Sequence, residues 1–372
     1  MKKVLSLLLV ALLAMGCLVG CGGSGDAAGD TFEIALITDK GNIDDKSFNQ
    51  GAWEGVVEFA EANGITHKYY KPEEASDAGY LAAIELAVAG GAKVVVTPGY
   101  LFEVAVYEAQ TAHPDVKFIL LDGAPHTADY ATYETASNVA SVMYAEEESG
   151  YLAGYAAVMD GNTSLGFMGG MAVPAVQAFG YGYLQGADAA AAELGLADGA
   201  VKAYYHYTGD FAETDANKQT AKGMYASGAE IVFACGGSVG KSVMSAAAES
   251  EGKMIGVDVD QRADSETIVT SAMKGLGASV VAVLESIYDD TFDTYGGKTT
   301  YFTAANNGVG LPSEFDRFEK FTAEQYDAAF AKLVDGSVDP IRTFETADAD
   351  GYATAEELVK SLNLTKLSIE VR

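Results

Sequence analysis

The chain has 372 residues, 49% hydrophobic and 20% charged, so it can bury a sizeable core and is long enough for two domains of ordinary size. Its 53 acidic residues outnumber 23 basic ones and leave a formal net charge of −30. That balance excludes a nucleic-acid-directed surface, which needs clustered Lys and Arg to neutralise phosphates.

In chain order, Lys2 and Lys3 come first, ahead of an apolar run over 4–13 that is too short to span a bilayer. This is the pattern of an export leader over residues 1–20. Leu18-Val19-Gly20-Cys21 resembles a bacterial lipobox, in which cleavage before Cys21 exposes its thiol for lipidation; Cys17, after Ala14-Met15-Gly16, is the competing position. Residues 21–30 are rich in Gly, Ser and Ala, as a flexible tether should be. With Cys21 lipidated, Cys235 has no cysteine left to pair with, and it reads as a small buried apolar residue.

From residue 31 onward, apolar strand-like runs alternate with amphipathic helical stretches. The expected elements are strand 32–37, helix 47–63, strand 66–70, helix 77–89, strand 93–97, helix 101–111 and strand 117–121. After an apolar stretch over 151–159 the series resumes with strand 164–168, helix 174–194, strand 201–207, helix 214–227, strand 231–234, helix 238–251 and strand 253–257. A helix over 322–334, a turn at Pro340, a helix over 355–362 and a final strand close the chain. Such alternation predicts an α/β protein with two doubly wound parallel sheets joined by a hinge. The expected lobes are residues 31–145 plus about 259–298, and 146–258 plus about 299–340, with a C-terminal helix and strand over 341–372. Chain crossings are expected near 145–157, 258–261 and 299–308.

In open α/β sheets ligands bind at the carboxyl ends of the strands. The first strand end carries Thr38-Asp39-Lys40-Gly41-Asn42-Ile43-Asp44-Asp45-Lys46-Ser47-Phe48-Asn49-Gln50, in which Asp39, Ser47 and Asn49 offer hydrogen-bonding groups and Phe48 a flat apolar face. Asp45 or Ser47 could instead cap the following helix. Further strand ends bring Tyr100 in Pro98-Gly99-Tyr100, Asp122 in Leu121-Asp122-Gly123, and Asp258 in Gly256-Val257-Asp258-Val259-Asp260-Gln261. A carboxylate just beyond a buried strand is partly dry and costs stability unless something pairs with it; ligand donors and turn amides are the two candidates.

Cys235-Gly236-Gly237-Ser238-Val239-Gly240-Lys241-Ser242 mimics a phosphate-binding loop but has Cys where that motif requires its first Gly, so its glycines read as close backbone approach to a ligand or to the opposite lobe. Residues 346–357 carry the glycine and last glutamate of a calcium loop with Thr at its first position; a helix capped by Thr354 and Glu357 is the competing reading and is preferred. His67, His113, His126 and His206 have no metal-ligand spacing, and no nucleophile elbow occurs, so neither catalysis, cofactor nor metal is expected.

The first strand-end motif, together with Ser149-Gly150-Tyr151-Leu152-Ala153-Gly154, Gly166-Phe167-Met168-Gly169-Gly170, Phe179, Gly182, Gly186, the Asp258 motif and Thr270-Ser271-Ala272-Met273-Lys274, resembles the basic membrane protein (BMP) family of PnrA-like nucleoside-binding lipoproteins. The resemblance implies a type I periplasmic-binding fold serving an ABC importer, with a base held between two aromatics. Phe48 and Phe211 match the two aromatics, while Asp39, Ser47, Asn49, Asp122, Gly236, Asp258 and Lys274 match the polar contacts. Lys40 and Tyr100 depart from the family's usual residues at the rim. The expectation is a monomeric, lipid-anchored, extracytoplasmic receptor for a nucleoside, purine favoured, that delivers to a permease. Another small polar ligand such as a sugar or autoinducer, a nucleoside-processing enzyme, and a surface adhesin are the competing readings.

Overall fold

The computed structural model describes residues 31–372; the expected leader, Cys21 and the tether lie outside them. The first half of the fold contains β1 (Ile34–Ile37), α1 (Phe48–Asn63), β2 (His67–Tyr70), α2 (Asp77–Ala89), β3 (Val94–Pro98), α3 (Glu103–Ala112), β4 (Lys117–Leu121) and β5 (Val139–Tyr144). Then come α4 (Glu146–Met159), β6 (Ser164–Gly169), α5 (Pro174–Glu193), β7 (Val201–Tyr207), α6 (Asp215–Ala226), β8 (Ile231–Cys235), α7 (Val239–Ser250) and β9 (Lys253–Asp258). The chain finishes with β10 (Ile268–Lys274), α8 (Leu276–Tyr288), β11 (Lys298–Phe302), β12 (Val309–Gly310), α9 (Ala323–Val334), α10 (Ala355–Ser361) and β13 (Leu367–Val371).

The strands form two sheets, in the orders β11-β5-β4-β3-β1-β2 and β12-β10-β9-β8-β6-β7-β13. Every pairing is parallel except β10 with β12. Central strands such as β1, β3 and β8 are buried along their whole length, because helices cover both faces, and they accordingly read as continuous apolar runs. The edge strands β2 and β11 are half exposed and carry Lys, Tyr and Thr.

The chain passes between the sheets three times. It leaves the first sheet after β5, returns after β10, and leaves again between β11 and β12. The passages lie side by side: Ala145 N donates to Phe302 O at 2.9 Å, and Gly275 N donates to Gly308 O at 2.8 Å. The second crossing therefore falls at Gly275 rather than near 258–261, and β10 lies in the second sheet, although residues 259–298 were expected in the first lobe. The reason is register: five residues of β10 pair with β9, which carries the strand past the Asp258 turn before the chain crosses. Strand β11 likewise belongs to the first sheet.

Two glycine pairs set the packing of the second lobe. A side chain added at Gly150 or Gly154 of α4 would collide with the carbonyl oxygens of Phe179 and Tyr183 on α5, and one at Gly182 or Gly186 with those of Glu147 and Tyr151 on α4. The two helices thus touch backbone to backbone, which no rotamer change can relieve. The C-terminal segment adds α10, capped as expected by Thr354 and Glu357, and β13, parallel to β7. Glu357 is fully committed there, with Oε2 accepting from Thr354 N (2.8 Å) and Oγ1 (2.7 Å) and Oε1 from Ala347 N (2.8 Å).

Gly186→Val is expected to cost about 3 kcal/mol or to prevent folding. Gly223→Ala, where an added Cβ meets nothing within 4 Å, should be neutral or stabilise by about 0.5 kcal/mol. Urea denaturation of the two variants checks the contrast.

Candidate functional site

A cavity of about 900 Å³ lies between the lobes, lined by residues that follow the carboxyl ends of β1, β3, β4, β7, β8, β9 and β10. Among the expected site residues, Asp39, Phe48, Asn49, Tyr100, Asp122, Phe211, Gly236, Asp258 and Lys274 all line it. Ser47 stands one step behind the wall, fully buried, and its Oγ donates to Asp258 Oδ2.

The turn after β1 organises its own polar groups. Asp45 is the cap of α1: its carboxylate accepts from Ser47 N (2.9 Å), Asn49 N (3.1 Å) and Gln50 N (3.2 Å), whereas Ser47 makes no capping bond. Asn49 spends both amide hydrogens inside the protein, on Asp39 Oδ1 (2.9 Å) and Asp45 Oδ2 (2.8 Å), and its carbonyl accepts from Asp39 N (3.1 Å). Asn49 therefore orients Asp39, whose Oδ1 also accepts from Gly41 N at 2.8 Å. Burial pushes the Asp39 carboxyl up, opposed by Gly41 and Asn49.

The same turn carries contacts between the lobes. Gln261 Nε2 donates to Lys46 O (2.5 Å), Lys46 Nζ pairs with Asp264 (3.2 Å), and Lys241 Nζ donates to Asp44 O (3.4 Å). With Ser47–Asp258, four bonds from the second lobe land on residues 44–47.

At the cavity floor, Lys274 at the end of β10 reaches across to the first lobe. Its Nζ bonds Asp122 Oδ2 and lies 3.0 Å from Glu146 Oε1, with its side chain only 2% exposed. Arg342 extends the chain of charges: Nη1 lies 2.5 Å from Glu146 Oε2 and 2.6 Å from Glu147 Oε2. Burial pushes up the Asp122 and Asp258 carboxyls against the pull of Lys274. Burial would raise Glu146 as well, but Lys274 and Arg342 outweigh it and hold that carboxyl below its usual value. Burial would also strip the proton from Lys274, yet Asp122, Glu146 and Asp258 more than compensate, so it stays an ammonium. Asp122 Oδ1 is buried without a hydrogen-bond partner. Asp122 and Asp258 both have left-handed backbones, with φ of 55° and 67°. A non-glycine residue held there stores strain, which concentrates at functional sites.

Aromatic rings meet this charge cluster. Lys274 Nζ lies 4.8 Å from the Phe48 ring centroid and 5.3 Å from those of Tyr144 and Phe179. Phe211 faces the cavity from the second lobe, and only glycine fits beneath it, since a Cβ at Gly170 would strike its ring. Gly236 is required for the same reason: an added Cβ would meet the Gly170 backbone at 2.7 Å. Cys235 is a buried free thiol raised by burial, as its strand-end position suggested.

Glu146, Phe179, Arg342 and the rim tyrosines Tyr130 and Tyr133 also line the cavity and were not singled out as site residues from the sequence. The run Glu146-Glu147-Glu148 at a helix start, and a single Arg in an otherwise cation-free stretch between Lys332 and Lys360, were the available signals.

Residues 32–336 match the family model described as ABC transporter substrate-binding protein PnrA-like. The chain is 29% identical over 369 residues to the ABC transporter nucleoside-binding protein BmpA of Lactococcus lactis subsp. cremoris, covering 91% of this chain and 98% of that protein. It is 27% identical to the CD4+ T-cell-stimulating antigen of Listeria monocytogenes over 91% and 98% of the two chains, and 29% identical to basic membrane protein A of Borreliella burgdorferi over 84% and 87%. In fold it is similar to an ABC transporter solute-binding protein from Aeropyrum pernix K1, with a TM-score of 0.74 at 22% identity over 90% of this chain and all of that one. A solute-binding protein from Conexibacter woesei gives 0.67 at 24% identity, over 85% of this chain and all of that one.

A carboxyl with a raised folded pKa binds its proton more tightly folded than unfolded. Between the two values, therefore, stability falls as pH rises. Asp39, Asp122 and Asp258 all act in this sense. Asp258→Asn keeps an acceptor for Ser47 and tolerates the left-handed backbone, so it should raise the melting temperature of the ligand-free protein at pH 7 by about 2–4 °C and change it little at pH 4. Calorimetry at the two pH values checks this, and a fall at pH 7 would contradict it.

Proposed function

The chain belongs to the PnrA-like family of ABC transporter substrate-binding proteins, and from that premise we propose that its cavity takes a nucleoside, a purine nucleoside by preference. The observation that carries the reading is the pairing of Phe48 and Phe211 from opposite lobes with Asp39, Asp122 and Asp258 in one cavity. Two rings suit a planar base, since stacking on an aromatic contributes about 1–3 kcal/mol per base. Buried carboxylates suit hydroxyl donors, and a ligand lacking those hydroxyls leaves the carboxylates unpaired at a cost. The lactococcal relative named for nucleoside binding supports the same class.

The carboxylates also set what the cavity refuses. Asp39, Asp122, Glu146 and Asp258 face a ligand with Lys274 and Arg342 as their principal counter-charges. A phosphate bearing about two negative charges would be repelled there and would lose its hydration. The ligand is therefore the neutral nucleoside rather than its phosphate.

A ligand bridging the two lobes would hold the bonds between residues 44–47 and the second lobe in place, and so favour a closed surface that a permease can distinguish from an open form. Cleavage before Cys21 and lipidation of its thiol would hold the monomer at the outer face of a membrane, with residues 21–30 as the tether. The protein carries out no chemistry on its ligand.

Thermal-shift measurements on the purified protein with nucleosides, nucleoside monophosphates, free bases, pentoses and hexoses test this. At a hundredfold excess over Kd a nucleoside should stabilise by about 2.7 kcal/mol, while the monophosphate gives no shift at the same concentration. Phe48→Ala should weaken nucleoside binding by at least about tenfold. A shift with sugars alone would reject the assignment.

A further inference from the structure

Arg342 belongs to a segment without regular secondary structure, beyond the stretch matched by the family model, yet its approach to the cavity is held from both sides. Gln185 on α5 clamps the preceding residue, donating from Nε2 to Ile341 O (3.0 Å) and accepting at Oε1 from Ile341 N (2.8 Å). Two residues on, the Phe344 ring packs 4.8 Å from that of Tyr181. A cation so oriented has little freedom left to lose when a ligand arrives.

Its hydrogen bonds leave a surplus. Nη1 donates to Tyr144 O (2.8 Å) and Glu147 Oε2 (2.6 Å), which uses both of its hydrogens. Glu146 Oε2 lies 2.5 Å from the same nitrogen as a close ion-pair contact. Nε and Nη2, with three hydrogens between them, have no acceptor among the described residues, and Arg342 lines the cavity.

Two of the other donors on this wall are largely committed: Lys274 spends two of its three hydrogens on Asp122 and Glu146, and the Asn49 amide is spent on Asp39 and Asp45. The wall thus offers acceptors in excess and few donors, whereas a sugar hydroxyl or ring oxygen needs a donor as well. We propose that Arg342 is a specificity-determining residue that donates to a hydroxyl oxygen on the sugar end of the ligand. The sugar end is indicated because Arg342 lies beyond Glu146 from Lys274, and Lys274 is the group that stands over the Phe48 ring. This rests on the nucleoside reading above.

The test compares the wild-type chain with Arg342→Met and Arg342→Gln by calorimetric titration with a ribonucleoside and its 2′-, 3′- and 5′-deoxy analogues, after thermal melting has shown which variants fold. Arg342→Met should weaken the parent nucleoside by about tenfold to a hundredfold. For the one analogue that lacks the contacted oxygen, the same substitution should change affinity by less than about twofold. Arg342→Gln, which keeps donors without charge, should fall between, and it decides the matter if the Met variant does not fold. Equal weakening toward all four ligands, or none, would overturn the proposal. If the wild type bound a free sugar and no nucleoside, the nucleoside reading would fall, while the same comparison with that sugar and its deoxy forms would still decide the role of Arg342. Binding of no sugar-bearing ligand would overturn both.

Discussion

The fold is organised around one buried ammonium. Lys274 leaves the end of a strand in the second sheet and is neutralised by Asp122, at the end of a strand in the first, and by Glu146, at the start of the helix that follows the first crossing. An isolated charge in such a place would lose its proton or unfold its surroundings, so each partner is required by the other. The two sheets are thereby bound to a common electrostatic centre. Lys274 and Arg342 keep Glu146 charged, Ser47 bonds Asp258, and Asn49 holds Asp39, which makes the cavity wall a set of carboxylates kept in place from behind.

Such a wall is costly in an empty protein. Asp39, Asp122 and Asp258 are pushed up by burial, one carboxylate oxygen of Asp122 is unpartnered, and two strand-end aspartates occupy left-handed backbone. Each of these costs stability, and under the function proposed above a ligand with hydroxyl donors would offset the part that falls on the carboxylates. The cost is carried by packing elsewhere, as between α4 and α5, where glycines let two helices meet along their backbones.

Much of this was legible in the sequence. Parallel strands covered on both faces must be apolar along their length, so β1, β3, β4, β6, β8 and β9 announced themselves, and the residues just past several of their ends could be named as site candidates. The sheet to which β10 belongs was not legible, because a crossing at Gly275 has no local signature and is decided by pairing with β9. Asn49 was expected to hydrogen-bond a ligand, whereas its amide is spent on Asp39 and Asp45, a matter of tertiary geometry that spacing does not encode. Arg342 lies 196 residues beyond Glu146, on a segment with no periodicity to place it.

The crossings give the charge cluster a mechanical meaning. Lys274 is followed at once by Gly275, where the chain passes between sheets, and Glu146 is preceded by Ala145, where it first does so. Two charged members of the cavity floor are therefore covalent neighbours of the pivots. A ligand that met the ammonium and its carboxylates would thus act on side chains one residue away from two of the three segments that join the sheets.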